Sequence, residues 1–391
     1  MALRDTARRA VQFWQNAYVF GFLGNTTWQK GGGTLNVFHC RTRIFFGDGA
    51  LSQLEQCGAG SVLVVTDRFF QESGLAQKVG AMASKNHVSV FSEVTPDPSA
   101  ELVAKGEAMF RSCQPDLLIA LGGGSPMDCA KAILYLQERR PLFVAIPTTS
   151  GTGSEVTGFS IVSHGGVKHP IVDEALLPDW AILDPSLLHA LPKGLIADTG
   201  MDVLAHDLEA LAARGASAFS DALARGSFAV CMEQLPASYA GDPAVRGRIH
   251  EAATMAGLAF QHAGLGICHS LAHALGGRFH IAHGRLNAIL LPAVLEYNSA
   301  ACLGAYLSLA RSIGVSGATE RLLLRNLIAA VCRLRAALEL PATLQQAGIP
   351  AAELDAALDA LADTAMADPC TASNPRSPTR DDLKAILRQV R

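Results

Sequence analysis

The chain contains no unbroken apolar run of the roughly eighteen residues that a membrane-spanning helix needs; Leu286–Leu295 comes nearest and is interrupted by Asn287 and Pro292. It has no Cys-x-x-Cys pair, no excess of basic charge, and no internal repeat of solenoid type. These absences exclude function classes. A net charge of −3 and a pI near 6.5 give no electrostatic footprint for nucleic acid. Nine cysteines, odd in number and without paired spacing, read as reduced thiols of a cytoplasmic protein. No apolar leader with a small-residue cleavage site opens the chain, so no secretory signal is expected. What remains is apolar: 49% hydrophobic residues over 391 positions, with a mean hydropathy of +0.24. That length implies about two domains, and the apolar surplus implies a large core or an interface between copies, most simply a dimer.

Against this background the histidines are unevenly placed. Five of the twelve lie in or beside residues 264–285: His262, His269, His273, His280 and His283. His269 and His273 are four apart, so on a helix they share one face, and their neighbours are Leu, Ala and Ile. A lone buried histidine is usually a satisfied core residue, but several converging on one apolar, Gly-rich segment suit a divalent metal. Upstream, Asp202 and His206 are also four apart. Asp202, His206, His269 and His283 together offer one carboxylate and three imidazoles. That donor set suits iron(II) or zinc with a position left for a substrate oxygen.

The first half reads as alternating strands and helices. Asn36–Phe46, Ser61–Val65, Val88–Phe91, Leu117–Leu121 and Leu142–Ile146 are expected strands, several of them continuous apolar runs as in a parallel sheet buried on both faces. Thr66-Asp67 ends one of them. A carboxylate there either accepts hydrogen bonds from an adenosine ribose and repels a 2′-phosphate, or caps the next helix. Leu117–Leu121 leads into Gly122-Gly123-Gly124-Ser125-Pro126 and a helix over Met127–Leu136. Strand, glycines and helix form a pyrophosphate cradle where backbone N–H groups approach phosphate, although a Gly triplet is also a common tight turn. After Leu183-Asp184-Pro185, Ala and Leu recur at helical spacing to the end, with breaks expected at Pro236 and Pro341.

Residues 1–33 stand apart. Ala7, Ala10, Val11, Trp14 and Tyr18 follow helical spacing and Gly31-Gly32-Gly33 ends the pattern, which describes a short amphipathic helix on a flexible tether.

These motifs together resemble the metal-dependent (iron-type, group III) alcohol dehydrogenases. Their signature is His-x-x-x-His followed ten residues later by His-Gly, here His269, His273 and His283-Gly284. The resemblance covers roughly residues 35–390 and implies that Asp202, His206, His269 and His283 hold the metal, with iron(II) first and zinc second. His273 is then the unligated histidine beside substrate and nicotinamide, its proposed role a proton relay. Ala282 stands where the family usually has proline. The same resemblance implies NAD(H) as cofactor. It makes Gly123, Gly124 and Ser125, with Asp128 completing the motif, the pyrophosphate loop. It places Pro147–Glu155, with Thr148, Thr149 and Thr152, on the nicotinamide side, brings Lys168 to the ribose, and favours cofactor selection at Asp67.

The implied architecture is an N-terminal Rossmann-like α/β dinucleotide-binding domain (34–195) plus an all-α C-terminal metal-binding domain (196–391), similar to dehydroquinate synthase, with the active site in the cleft between them. Within the family, Thr95-Pro96-Asp97-Pro98, Gly200–Leu204 and Gly276-Gly277-Arg278-Phe279-His280 resemble most the propanol dehydrogenases of bacterial microcompartments. The implied reaction is reversible, NADH-dependent reduction of a short aldehyde such as propionaldehyde or acetaldehyde. A lactaldehyde or polyol dehydrogenase on the same scaffold is the nearest rival. A dehydroquinate-synthase-type lyase is less favoured, because the motif region offers only Arg278 and Arg285 for an anionic substrate. For residues 1–33 two readings stand: a helix packed on its own protein, or one that docks on a microcompartment shell or cargo protein.

Overall fold

The computed structural model describes residues 28–29, 34–35, 37–84, 86–165 and 167–391. The helix expected within residues 1–33 lies outside them. Contacts divide the described chain into two units: residues up to Thr149 with Ser154–Leu188, and Ser150–Gly153 with His189–Arg391.

In the first unit, β1 (Trp28–Gln29) and β2 (Thr34–Leu35) form a small antiparallel pair. There follow β3 (Arg43–Phe46), β4 (Ser61–Asp67), α1 (Arg68–Glu72), α2 (Leu75–Ala83), β5 (His87–Val94), α3 (Ala100–Cys113), β6 (Leu117–Gly122), α4 (Gly124–Tyr135), β7 (Leu142–Pro147), β8 (Phe159–His164), β9 (Val167–Val172) and β10 (Trp180–Leu183). Six strands make one parallel sheet in the order β3-β10-β7-β6-β4-β5. Its central strands are apolar on both faces because both are covered. Leu63, Val65, Leu118, Ala120 and Phe143 pack with α3 and α4. The alternate positions Val62, Val64, Leu117, Ile119 and Val144 pack with α2 and a 3-10 turn at Ala50–Gln56.

Two details differ from the sequence reading. Only Arg43–Phe46 of the expected Asn36–Phe46 strand joins the sheet, because its partner at that edge, β10, is itself only four residues long. The β8–β9 hairpin was not anticipated, although Gly165-Gly166 between two β-prone runs is a hairpin signal; pairing starts at His164↔Val167, and Gly165 has φ of +58°.

The second unit is helical: α5 (Lys193–Ala212), α6 (Ala218–Ala240), α7 (Arg246–Ala263), α8 (Ile267–Phe279), α9 (His283–Ser312), α10 (Glu320–Ala337), α11 (Ala351–Ala367), α12 (Pro369–Ser373) and α13 (Arg380–Gln389). Sixteen of the twenty residues of α5 are buried, so it is surrounded rather than amphipathic; α6, α7 and α9 pack around it. The expected break at Pro236 does not occur: α6 continues to Ala240. A proline one turn before the helix end removes only one ladder bond, and Gly241 then terminates the helix. Pro292 likewise lies inside α9, and the Ala288 carbonyl it would otherwise engage from one turn on accepts a hydrogen bond from Arg335 Nη1 at 3.3 Å. By length and composition α9 is long and apolar enough to cross a membrane. Here, however, its Leu286, Leu290, Leu291 and Leu295 belong to the core of the helical unit.

Candidate metal centre and dinucleotide site

Three helices supply the centre. On α5, Asp202 and His206 sit one turn apart and are 3% and 4% exposed. Helix α8 carries His269, 1% exposed, and His273. His283 is the first residue of α9. The His283-Gly284 pair has a steric reason: a Cβ at position 284 would collide with the Asp198 carbonyl of α5, so only glycine lets α9 start this close. Ala282, where a proline was expected, has φ of −53°. That is the value a proline ring enforces, so the turn keeps its shape without one.

Asp202 Oδ1 lies 3.8 Å from His269 Nε2 and 3.5 Å from His283 Nε2, and the three donor atoms fall within 4.8 Å of one another. A tetrahedral shell at about 2.1 Å holds its ligands about 3.4 Å apart, so the trio has the spacing of a divalent-metal face. The tautomers agree. Glu209 Oε2 accepts from His269 Nδ1 at 2.6 Å, which turns the Nε2 lone pair toward Asp202. The same carboxylate accepts from the Gly266 and Cys268 backbone N–H groups at 2.9 and 2.7 Å, at the start of α8. His206 stacks on His269 (ring centroids 4.5 Å apart) and on Phe260. Among the described residues the close trio is therefore Asp202, His269 and His283, with His206 beside it.

Burial and neighbouring charge act on these residues in different directions. Burial pushes the Asp202 carboxyl up, but His206, His283, His269 and the Asn287 amide outweigh it and leave it at about 2. Burial pulls His206 down to about 3, so it is a neutral imidazole with available lone pairs. For His269 burial is outweighed by the hydrogen bond to and charge of Glu209, and its pKa rises. His273 stacks on His283 at 5.0 Å, and its Nδ1 lies 2.8 Å from Asp368 Oδ2. Asp368 Oδ1 accepts from the Cys370 N–H at 2.9 Å and caps α12.

Glu209, Asn287 and Asp368 were not singled out in the sequence. Glu209 follows His206 by three on α5, and Asn287 follows His283 by four on α9, so helical spacing carried a signal for both. Asp368 is 95 residues from His273 and had none.

In the parallel sheet, β4, β6 and β7 are neighbours, so their carboxyl ends share one edge. The chain runs from β4 outward to β5 and returns to β6 on the other side of β4, which makes a topological switch point. Asp67, Gly122–Ser125, Thr148 and Thr149 all lie at that edge. Gly122 has φ of +145°, and a Cβ at Gly123 would meet Thr149 Oγ1 at 3.1 Å. The N-cap of α4 is Gly123, which has no side chain of its own to cap the first N–H groups of the helix. Asp67 Oδ1 accepts from Phe70 N at 3.2 Å and is the N-cap of α1. Lys168, on β9, donates to Asp97 Oδ1 at 2.6 Å. Thr152 falls in the Ser150–Gly153 segment, which groups with the helical unit.

One unit thus carries a glycine-rich strand-to-helix turn at the sheet's carboxyl edge, and the other a cluster of Asp202, His269 and His283. Residues 41–185 match the family described as iron-containing alcohol dehydrogenase, and residues 196–390 match its C-terminal domain family. The chain is 38% identical over 369 residues to the 1-propanol dehydrogenase PduQ of Salmonella typhimurium, covering 91% of this chain and 100% of the relative. It is 38% identical over 371 residues to the NADPH-dependent butanol dehydrogenase of Clostridium saccharobutylicum, covering 89% and 96%. The solved iron-containing alcohol dehydrogenase of Thermococcus thioreducens superposes with a TM-score of 0.84 at 32% identity, covering 90% of this chain and 99% of that one. The chain belongs to the iron-containing alcohol dehydrogenase family. It is an enzyme that interconverts alcohols and aldehydes.

Proposed function

We propose that this enzyme reduces short-chain aldehydes of the propionaldehyde and acetaldehyde class reversibly to primary alcohols with NADH. One divalent metal, iron(II) first and zinc second, is assigned to Asp202, His206, His269 and His283. The observation that carries the reading is the convergence of buried Asp202 Oδ1 with the Nε2 atoms of buried His269 and half-buried His283. A cation bound there supplies Lewis acidity toward a carbonyl oxygen. The protein's own residues do the rest. Glu209 holds the His269 tautomer, keeping its lone pair directed inward. Asp368 holds the Nδ1 proton of His273, so His273 Nε2 is the atom that gives up or takes the hydroxyl proton. Gly123, Gly124 and Ser125 bind the pyrophosphate through backbone N–H groups, and Thr148, Thr149, Thr152 and Lys168 bind the nicotinamide half. Asp67 selects NADH by repelling a 2′-phosphate.

Residues 1–33 are proposed to dock the enzyme on a microcompartment shell or cargo protein, on the strength of their helical apolar spacing and Gly31-Gly32-Gly33 tether. The decisive experiment measures NADH and NADPH consumption over a panel of aldehydes and polyol-derived aldehydes. The protein is reconstituted separately with iron(II) and zinc. Preference for unbranched two- to four-carbon aldehydes with NADH supports the reading. Preference for lactaldehyde or glyceraldehyde would move it to the polyol class on the same scaffold, and an absence of any nicotinamide oxidation would sink it.

A further inference from the structure

Asn287 is fully buried, and its amide nitrogen approaches every member of the Asp202–His269–His283 trio. Asn287 Nδ2 lies 2.7 Å from Asp202 Oδ1, 3.1 Å from His283 Nε2 and 3.3 Å from His269 Nε2. Of the three, the Asp202 carboxylate oxygen is an acceptor with lone pairs enough for both the amide and a cation, whereas each Nε2 has a single lone pair; the bond to Asp202 is therefore the one that persists with a cation bound. The sense of the amide follows from its other end. Asn287 Oδ1 faces the Cys268 thiol at 3.5 Å, a weak donor, so oxygen points away from the acceptors and nitrogen toward them. Its place is set by helix geometry, since Asn287 lies one turn after His283 on α9 and presents the same face.

We infer that Asn287 is a positioning residue for the metal centre: its amide donates to the Asp202 carboxylate and holds that ligand at ligand spacing from His269 and His283. The inference rests on the proposed metal site. A group with this role donates to a ligand carboxylate and fixes the direction of its remaining lone pairs, which raises metal affinity without the residue itself touching the ion. A buried leucine of the same size fills the space but cannot do this. Without the amide, the buried Asp202 carboxylate loses this donor and is free to turn.

The test uses full-length protein stripped of metal with chelator and titrated with Co²⁺, read by visible absorbance and by competition with a chelating dye. The Asp202→Ala variant serves as the control for the site itself. If wild type and Asp202→Ala bind Co²⁺ alike, the metal-site reading fails. If only wild type binds, that reading stands and Asn287 is judged separately. Asn287→Leu is then expected to fold, to bind Co²⁺ about 10–100-fold more weakly and to shift the visible bands, as loss of an outer-shell partner does. Should the leucine variant not fold, Asn287→Ser, too short to reach all three atoms, carries the same comparison. A folded variant of either kind that binds Co²⁺ within about threefold of wild type, with unchanged bands, overturns the inference.

Discussion

A buried carboxylate beside two buried imidazoles is costly unless a donor or a cation sits among them, and this cost makes single residues of the centre separable by experiment. His269→Ala and Asp202→Ala each remove one of the converging donors, so bound metal, read by elemental analysis, and turnover are expected to be lost together. Metal retained at wild-type stoichiometry with full turnover in either variant would refute the ligand assignment. His273→Ala should behave differently, because His273 is paired with Asp368 rather than gathered with the trio. Metal content is expected to stay, with turnover falling by roughly 10²–10⁴-fold, the usual worth of a positioned proton-transfer group. Asp67 requires a variant that respects its structural duty. It caps α1 through Phe70 N, and serine is also a good N-cap, so Asp67→Ser removes the charge and keeps the cap. The ratio of NADPH to NADH efficiency should rise while the melting temperature stays close to wild type; an unchanged ratio would leave Asp67 as a cap only.

At the scale of elements, the connection after β7 is held to α4 by one side chain. Lys131 Nζ is fully buried and donates to the carbonyls of Ser154, Thr157 and Phe159 at 2.6, 2.7 and 2.8 Å. Burial pulls its pKa down to about 8, while burial pushes the neighbouring Asp128 up to about 7. Five oxygen acceptors around one ammonium favour the protonated lysine at neutral pH. Lys131→Met fills the same space without a donor and strands three carbonyls beside a buried carboxyl. The expected loss is about 3–5 kcal/mol, measured by denaturant unfolding. A loss of under about 1 kcal/mol would show that water replaces the ammonium. Elements also show where sequence patterns mislead. Pro236 predicted a break and did not make one, because proline near a helix end costs a single backbone bond.

For the whole molecule, the proposed ligands come from α5, α8 and α9 and converge only when these pack, so metal binding by them is expected to be coupled to folding of the helical unit. Removing metal with chelator should therefore lower the melting temperature, and adding it back should restore it. A free metal concentration of about 100 times Kd stabilises a single site by about 2.7 kcal/mol. Asp202→Ala should not respond to either treatment; an equal response in that variant would place the stabilising ion elsewhere.

Local sequence determined a large part of this protein. Runs such as Leu117–Leu121 are apolar at every position and so specify a strand covered on both faces, and glycines at its end specify a tight turn into a helix. Repeats of four residues, Asp202 to His206 and His269 to His273, place chemistry on single helix faces, because a helix turn is a local property. Sequence spacing does not report which faces meet. Only the packed structure placed Asp368 on His273, 95 residues away, and Glu209 on His269, 60 residues away. Only packing aimed Asn287 at three donors from two other helices and its own. These partners are chosen by helix packing, which depends on the shapes of whole surfaces such as the glycine contact at Gly284 against α5. Periodicity dictates the face of each helix; burial and close approach decide what that face holds.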